Sequence, residues 1–274
     1  MIKDPRHPSG AGSPIDRSLA ATFLPVVLSL VAGSVDVISF LRLGGLFAAH
    51  ITGNLVILAA HVVAGDKAPL ALMISVPVFI VALAITRLLA TGLKRMHLAL
   101  LRPLLLLQFL LLAGSLAVCV GGGSRSDLTA ATATVAGMFG VSAMAVQNAL
   151  VQISLNGSPS TAVMTTNITR FVMDLGEVVL GRSPDYGVKA GERARCTGLA
   201  IAGFIVGCGL GAGCQAIAGL WSLAVPAGLA LVALVMAVAD DQSPLPPLLA
   251  ETIPQPSDSH RASAPGKASN AGRA

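Results

Sequence analysis

Long apolar runs separated by short polar stretches dominate the middle of this chain. Seven runs approach the length of about 20 residues that a helix needs to cross a bilayer, and an eighth run is weaker and more polar. The seven cover residues 19–41, 46–64, 70–91, 103–121, 129–153, 197–217 and 220–238, and the eighth covers 161–181. The flanks 1–17 and 241–274 are rich in Pro, Ser, Gly and Ala, which predicts two disordered tails around a transmembrane domain at 18–240.

The eighth run carries a stripe of polar side chains. On a helix, Asn167, Arg170, Asp174 and Glu177 fall within about 80° of one another. Arg170 and Asp174 also have i,i+4 spacing, which predicts an ion pair between them. The segment either faces a hydrated cavity or lies on the membrane surface as an amphipathic helix.

The two halves of the chain share an ordered pattern. Residues 33–54, GSVDVISFLRLGGLFAAHITGN, align with residues 145–167, AVQNALVQISLNGSPSTAVMTTN, when one insertion is allowed. In each half an acid or amide is followed by a glycine-containing break, then by [IM]-T-x-N, and then by two further apolar runs. This order predicts an internal repeat, which is a frequent device in transporters.

The distribution of Lys and Arg favours an inverted repeat. If 46–64 and 161–181 are re-entrant or interfacial and the N-terminus is cytoplasmic, 14 basic residues of the loops and tails lie inside and 3 outside. If all eight runs span, the numbers become 12 and 5. Because basic residues mark cytoplasmic loops, six spans are favoured, with seven or eight as alternatives. The predicted fold is an all-α integral membrane protein: a bundle of about six transmembrane helices with two re-entrant or interfacial segments.

Composition agrees with this class, since 54% of the residues are hydrophobic and 11% are charged, whereas soluble domains carry about 25% charged residues. The net charge of +5 does not indicate nucleic-acid binding, because the basic residues sit in short loops and tails. His50, Asn54 and His61 share one helical face but make a poor metal site. With no catalytic motif in view, we expect no enzyme activity, no cofactor and no metal.

Two kinds of polar residue inside the apolar runs could carry function. A carboxylate in the bilayer costs about 2.5–3.5 kcal/mol, so Asp36 is solvated at the interface, binds a proton or solute, or hydrogen-bonds another helix. The triplets at 52–54 and 165–167 either cap short half-helices near a binding site or hydrogen-bond across packed helices. The overlapping GxxxG steps in 203–211 predict close helix packing.

The motifs G-S-V-D-V-I-S-F-L, G-L-F-A-A-H-I-T-G-N, A-M-A-V-Q-N-A and M-T-T-N-I-T resemble those of the YoaK-like family over about residues 20–238. Its members are bacterial inner-membrane proteins without an established activity, so the resemblance implies a location and a membrane fold but no reaction. The family's motif positions fall on Asp36, Thr52, Gly53, Asn54, Gln147, Asn148, Thr165 and Asn167. Thr166 stands where family members often have glycine, which argues against a tight glycine turn there.

The leading functional hypothesis is a small-solute transporter or channel with a polar site near the membrane midplane. The alternative is a membrane assembly or scaffold protein whose polar residues serve only packing. The residues predicted to bind solute are Asp36, Thr52, Asn54, Gln147, Asn148, Thr165, Asn167, Arg170 and Asp174. The expected partners are the lipid bilayer and an unidentified small solute, with homo-oligomerisation left open.

Overall fold

The computed structural model describes residues 19–122, 128–155, 157–181 and 184–240. Within these ranges the chain forms helices joined by short connections, which confirms the all-α prediction there. The helices are α1 (Leu19–Arg42), α2 (Ile51–Ala64), α3 (Leu70–Arg95), α4 (Leu101–Gly121), α5 (Ala130–Ser154), α6 (Met164–Leu180), α7 (Pro184–Ala218), the 3₁₀ turn η1 (Gly219–Leu223) and α8 (Ala224–Asp240). The predicted tails, 1–17 and 241–274, lie outside the described residues.

Within the residues that the structure describes, five helical stretches are long and apolar enough to cross a membrane, so the chain is a multi-pass membrane protein. They cover Phe23–Arg42, Leu70–Arg95, Leu101–Gly121, Ala130–Ser154 and Gly187–Ala239, the last of which runs through α7, η1 and α8. Helix α2 is apolar but has only 14 residues. At 1.5 Å per residue it is about 21 Å long, less than the roughly 30 Å of a hydrocarbon core.

Two short segments interrupt the series of long helices. The first short segment is the connection 43–50 with α2, and the second short segment is the connection 157–163 with α6. Gly44 and Gly45 adopt positive φ angles of 74° and 76°, which let the chain reverse directly after α1. Helix α2 packs against α3 and helix α6 packs against α7.

Helix α7 begins well before the apolar run that predicted it. The apolar run 197–217 belongs to α7, which begins thirteen residues earlier at Pro184. Residues 184–196 are polar, but Ala, Glu, Lys and Arg are good helix formers, so the helix continues beyond its apolar part. Hydrophobicity alone therefore marks the membrane-facing portion of α7 and not its whole length.

The core lies along α1 and α5. Helix α1 packs against α7 and α8, helix α5 packs against α3 and α4, and α1 and α5 also contact each other. Along the α1–α7 contact, glycines in 203–211 lie directly on the backbone of α1. A side chain at Gly207 would overlap the carbonyl of Leu30, and one at Gly211 would lie 2.9 Å from the carbonyl of Ser34. The predicted GxxxG packing face is confirmed.

Candidate functional site

Asn54 holds the first short segment together. Its Nδ2 donates to the carbonyl of Phe47 at 2.8 Å, and its Oδ1 accepts from the backbone N–H of the same residue at 2.8 Å. Nδ2 also donates to Oγ of Ser75 on α3 at 3.2 Å. Asn54 is completely buried, and this amide therefore satisfies a loop peptide that no helix supports.

Asn167 makes the same kind of bond in the second short segment. Its Nδ2 donates to the carbonyl of Ser160 at 2.5 Å, again seven residues earlier in the chain. The two short helices also start alike, with φ, ψ of −95°, 63° at His50 and −95°, 79° at Val163. The difference is that Oδ1 of Asn167 is buried and accepts no hydrogen bond from the described residues.

These bonds decide between the two roles predicted for the triplets. Capping is wrong: the short helices begin one residue before the triplets, at Ile51 and Met164, and no side chain of an N-cap residue accepts a backbone N–H there. The bond from Asn54 to Ser75 on α3 is the hydrogen bond between packed helices that the other alternative predicted. The asparagines bond backward to the loop, because the loop peptides are the unsatisfied groups nearest to them. Gly53 lies inside α2, where an added Cβ would be 3.1 Å from the ring of Phe47, so its small size serves packing and not a turn.

Asp36 is bonded to the connection that follows its own helix. It is 3% exposed, which excludes a solvated carboxylate. Its Oδ1 accepts from the backbone N–H of Ala49 at 2.6 Å, and its Oδ2 accepts from Nδ1 of His50 at 2.5 Å. His50 precedes α2, outside the spanning helices, and the hydrogen bond to Asp36 raises the pKa of its imidazole above the usual 6.5, although burial opposes this. The ring lies edge-on to Phe204, with centroids 5.4 Å apart.

Gln147 connects the second short segment to the core. Its Nε2 donates to Oγ1 of Thr161 at 2.8 Å and to the carbonyl of Leu28 at 2.9 Å. Its Oε1 accepts from Nε2 of Gln108 on α4 at 2.7 Å. Both glutamines are completely buried, so this network ties α1, α4 and α5 to the connection before α6.

The predicted ion pair between Arg170 and Asp174 is wrong. Asp174 is bound by Arg193 of α7, with Oδ1 at 2.7 Å from Nη2 and 2.9 Å from Nε. Nη2 of Arg193 also lies 2.9 Å from Glu177. Asp174 lies on the buried face of α6, which packs against α7. There a guanidinium can bind it with two nitrogens, an advantage that i,i+4 spacing does not provide.

Two adjoining clefts lie beside the second short segment. The larger, of about 390 Å³, is lined by Gly157, Pro159, Thr169, Arg170, Met173, Asp174, Glu192, Arg193, Cys196 and Thr197. The other, of about 370 Å³, is lined by Asn148, Val151, Gln152, Leu155, Gly157, Ser158, Ser160 and Arg170. Arg170 is shared by both clefts, is exposed, and forms no ion pair with the residues described here.

The nine residues predicted to bind solute do not form one site. Asn148, Arg170 and Asp174 line the clefts. Thr52 and Thr165 are exposed on the first turns of α2 and α6. The other four, Asp36, Asn54, Gln147 and Asn167, are buried in the hydrogen bonds described above. The first-half residues among the nine line neither cleft.

Three partners were not assigned from the sequence: His50 to Asp36, Arg193 to Asp174, and Gln108 to Gln147. Gln108 did carry a signal, because it is a lone amide inside an apolar run. The other two pairs join residues 14 and 19 positions apart. Their members lie on different elements, so the periodicity of a single helix could not predict that they meet. Among the residues that the structure describes, no three His, Cys, Asp or Glu side chains lie together as a metal site would require.

Comparison with known proteins gives one result. A family model described as "Protein of unknown function (DUF1275)" matches residues 24–236, nearly all of the part between the tails. No match was found among curated proteins or among solved structures. The family match confirms the resemblance to membrane proteins of unknown function that the motifs indicated.

Proposed function

The chain belongs to the DUF1275 family, and on that premise we propose that it is a non-enzymatic small-solute transporter or channel of the bacterial inner membrane. The observation that carries this proposal is the matched pair of short segments. Each places a helix too short or too polar to span directly beside a long helix, and each is held by an asparagine bonded seven residues back. Interrupted segments in corresponding positions of two halves are typical of the binding region of transporters.

The packing of the helices supports an inverted repeat. If α1–α4 are exchanged for α5–α8, the α1–α7 contact becomes α5–α3, α2–α3 becomes α6–α7, and α4–α5 becomes α8–α1. The α1–α5 and α4–α8 contacts map onto themselves. Each half contains one short segment between its first and second long helices, so an odd number of spans per half gives the halves opposite orientation.

The length of the last apolar stretch supports six spans. Gly187–Ala239 has 53 residues, and a continuous helix of that length would be about 80 Å long, more than twice the thickness of a hydrocarbon core. The stretch is divided at η1, where Gly219 has a φ of 58°. Helices α7 and α8 then form two spans, and with α1, α3, α4 and α5 they make six.

We place the solute in the paired clefts beside the second short segment. Their lining combines amide and hydroxyl groups with the guanidinium of Arg170, in a chain that has few charged residues elsewhere. Arg193 is engaged by Asp174 and Glu177, whereas Arg170 forms no ion pair with the described residues. Arg170 is therefore the cation of the clefts that remains able to bind a polar group of the solute.

A thermal-shift screen of the purified full-length protein against small metabolites tests the proposal. A ligand present at about 100 times its Kd stabilises the folded state by about 2.7 kcal/mol, which raises the melting temperature by several degrees. We expect R170A to remove that shift without unfolding the protein. K189A is the matched control, because Lys189 is an exposed cation of α7 that lines neither cleft, and it should keep the shift.

If the protein is a scaffold, we expect the opposite result in the thermal-shift screen. A protein whose polar residues serve only packing should show no stabilising metabolite, and R170A and K189A should then behave alike. A ligand whose shift survives R170A would separate transport from the paired clefts and contradict this location of the site.

A further inference from the structure

We propose that Asp36 and His50 form a proton-binding site, and that its occupancy sets how firmly the first short segment is held against α1. This deepens the transport function proposed above and rests on it, because it names the proton as the coupling ion. The two residues belong to different elements and meet only because the chain reverses after α1. The pair is thus a link between a spanning helix and a segment that does not span.

The geometry leaves one atom free to exchange the proton. Both oxygens of Asp36 are occupied, one by the N–H of Ala49 and the other by Nδ1 of His50. Nε2 of His50 has no hydrogen-bond partner among the described residues, and the His50 side chain is 37% exposed. The proton therefore enters and leaves at Nε2, while Nδ1–H stays directed at the carboxylate.

The protonation step balances without any further reactant. A proton from water binds Nε2, the neutral imidazole becomes imidazolium, and the pair changes from a net charge of −1 to zero. The Nδ1–H bond to Asp36 then joins two opposite charges and becomes stronger. Loss of the proton leaves the buried carboxylate with neutral donors only, so the connection that carries Ala49 and His50 is held less firmly.

Other ionisable groups near the pair are few. Cys208 on α7 packs against α1 beside Gly33, and Arg42, later on α1, lies against the amide of Gln215. Helix α5, which contacts the 43–50 connection, contains no ionisable side chain. Among the side chains that the structure describes, the ionisable groups of α2 and α3 lie ten or more residues beyond the start of the helix: His61, Arg87, Lys94 and Arg95. The charged side chains described on α7 lie thirteen or more residues before Cys208: Lys189, Glu192, Arg193 and Arg195.

The second half of the chain lacks this pair. In the alignment of 33–54 with 145–167, Asn148 stands at the position of Asp36 and Val163 at that of His50. Neither side chain titrates. The corresponding connection is held instead by Gln147 through Thr161, a bond that does not depend on pH. Proton control is therefore confined to the first short segment, although both segments share the asparagine bond.

The proton itself is the probe in the first test. The full chain has five histidines, and H50Q identifies the signal of His50 in an NMR titration of protein with labelled histidine in lipid nanodiscs. We expect His50 to titrate above pH 6.5 in the wild type and D36N to lower its pKa, because the charged hydrogen-bond acceptor is lost. D66N, which changes an exposed acid after α2, is the matched control and should leave it in place. A wild-type value at or below 6.5, or one that D36N does not change, would overturn the proposal.

Hydrogen exchange of the 43–50 connection provides the second test and does not need the Asp36 variant to fold. After correction for the intrinsic pH dependence of exchange, wild-type protection should fall about fivefold as the pH rises through the pKa of His50, since a hydrogen bond between charges is the stronger one. H50Q cannot titrate and should show no such step. A flat wild-type profile would make the pair a static tether and refute proton control. Solute binding in the thermal-shift screen depends on neither result, so the transport proposal would stand or fall separately.

Discussion

At the scale of single residues, the buried amides show how polar groups are accommodated in an apolar chain. Asn54 uses both ends of its amide on the peptide of Phe47 and adds a bond to Ser75. Asn167 uses only its nitrogen, which donates to the carbonyl of Ser160 and, at 3.8 Å, to Sδ of Met164, and leaves its oxygen without a partner among the described residues. The two asparagines therefore hold the two short segments with different numbers of bonds.

This difference predicts an order of stabilities. N54A leaves the half-buried N–H and C=O of Phe47 unpaired, and an unpaired backbone group costs up to about 1–3 kcal/mol where water cannot reach it. N167A frees one backbone carbonyl, that of Ser160, and removes a long contact to the sulfur of Met164, so it should lower the melting temperature in detergent by less. T52A, at an exposed neighbouring position, should leave it nearly unchanged. An equal or larger loss for N167A would show that the bonds of Asn54 are not what stabilises the first short segment.

The sequence predicts which polar residues need a partner, but not which residue that partner is. An acid or amide inside an apolar run needs a hydrogen-bond partner, because burying it unpaired is costly. Asp36, Asn54, Gln147 and Asn167 are indeed all buried and hydrogen-bonded. The partner's identity depends on tertiary contacts. Arg170 is the neighbour of Asp174 along its helix, yet Arg193 reaches that carboxylate from α7.

At the scale of elements, α1 and α7 approach closely because α7 presents glycines to the backbone of α1. In a bilayer, helix association depends on such packing, since lipid tails are as apolar as the helices. The GxxxG spacing indicated this face correctly because it depends only on helical periodicity. The apolar runs 46–64 and 197–217 do not start where α2 and α7 start, because hydrophobicity reports contact with lipid or the core and not where a helix begins.

A pair of alanine substitutions tests the α1–α7 contact. In G207A the new methyl group would overlap the backbone carbonyl of Leu30, so the helices must separate, and we expect a loss of about 1–3 kcal/mol, as for other overpacked cores. Gly209 is two residues away on the same helix with open space around it. G209A should be neutral or slightly stabilising in the same detergent melt. Equal effects of the two changes would show that the backbones do not limit the contact.

At the scale of the whole molecule, the proposed topology is a prediction about sides of the membrane. Six spans with a cytoplasmic N-terminus place residue 67 outside and residues 96 and 189 inside, whereas eight spans place 67 inside and 96 outside. Lys67, Met96 and Lys189 are all exposed, so each accepts a cysteine in a background whose four native cysteines are replaced. In intact cells, an impermeant maleimide should label K67C alone, and M96C and K189C should react only after the membrane is opened. Because residue 189 is cytoplasmic in both topologies, it serves as the internal control. Protection of K67C together with labelling of M96C would establish eight spans and remove the inverted relation between the two halves.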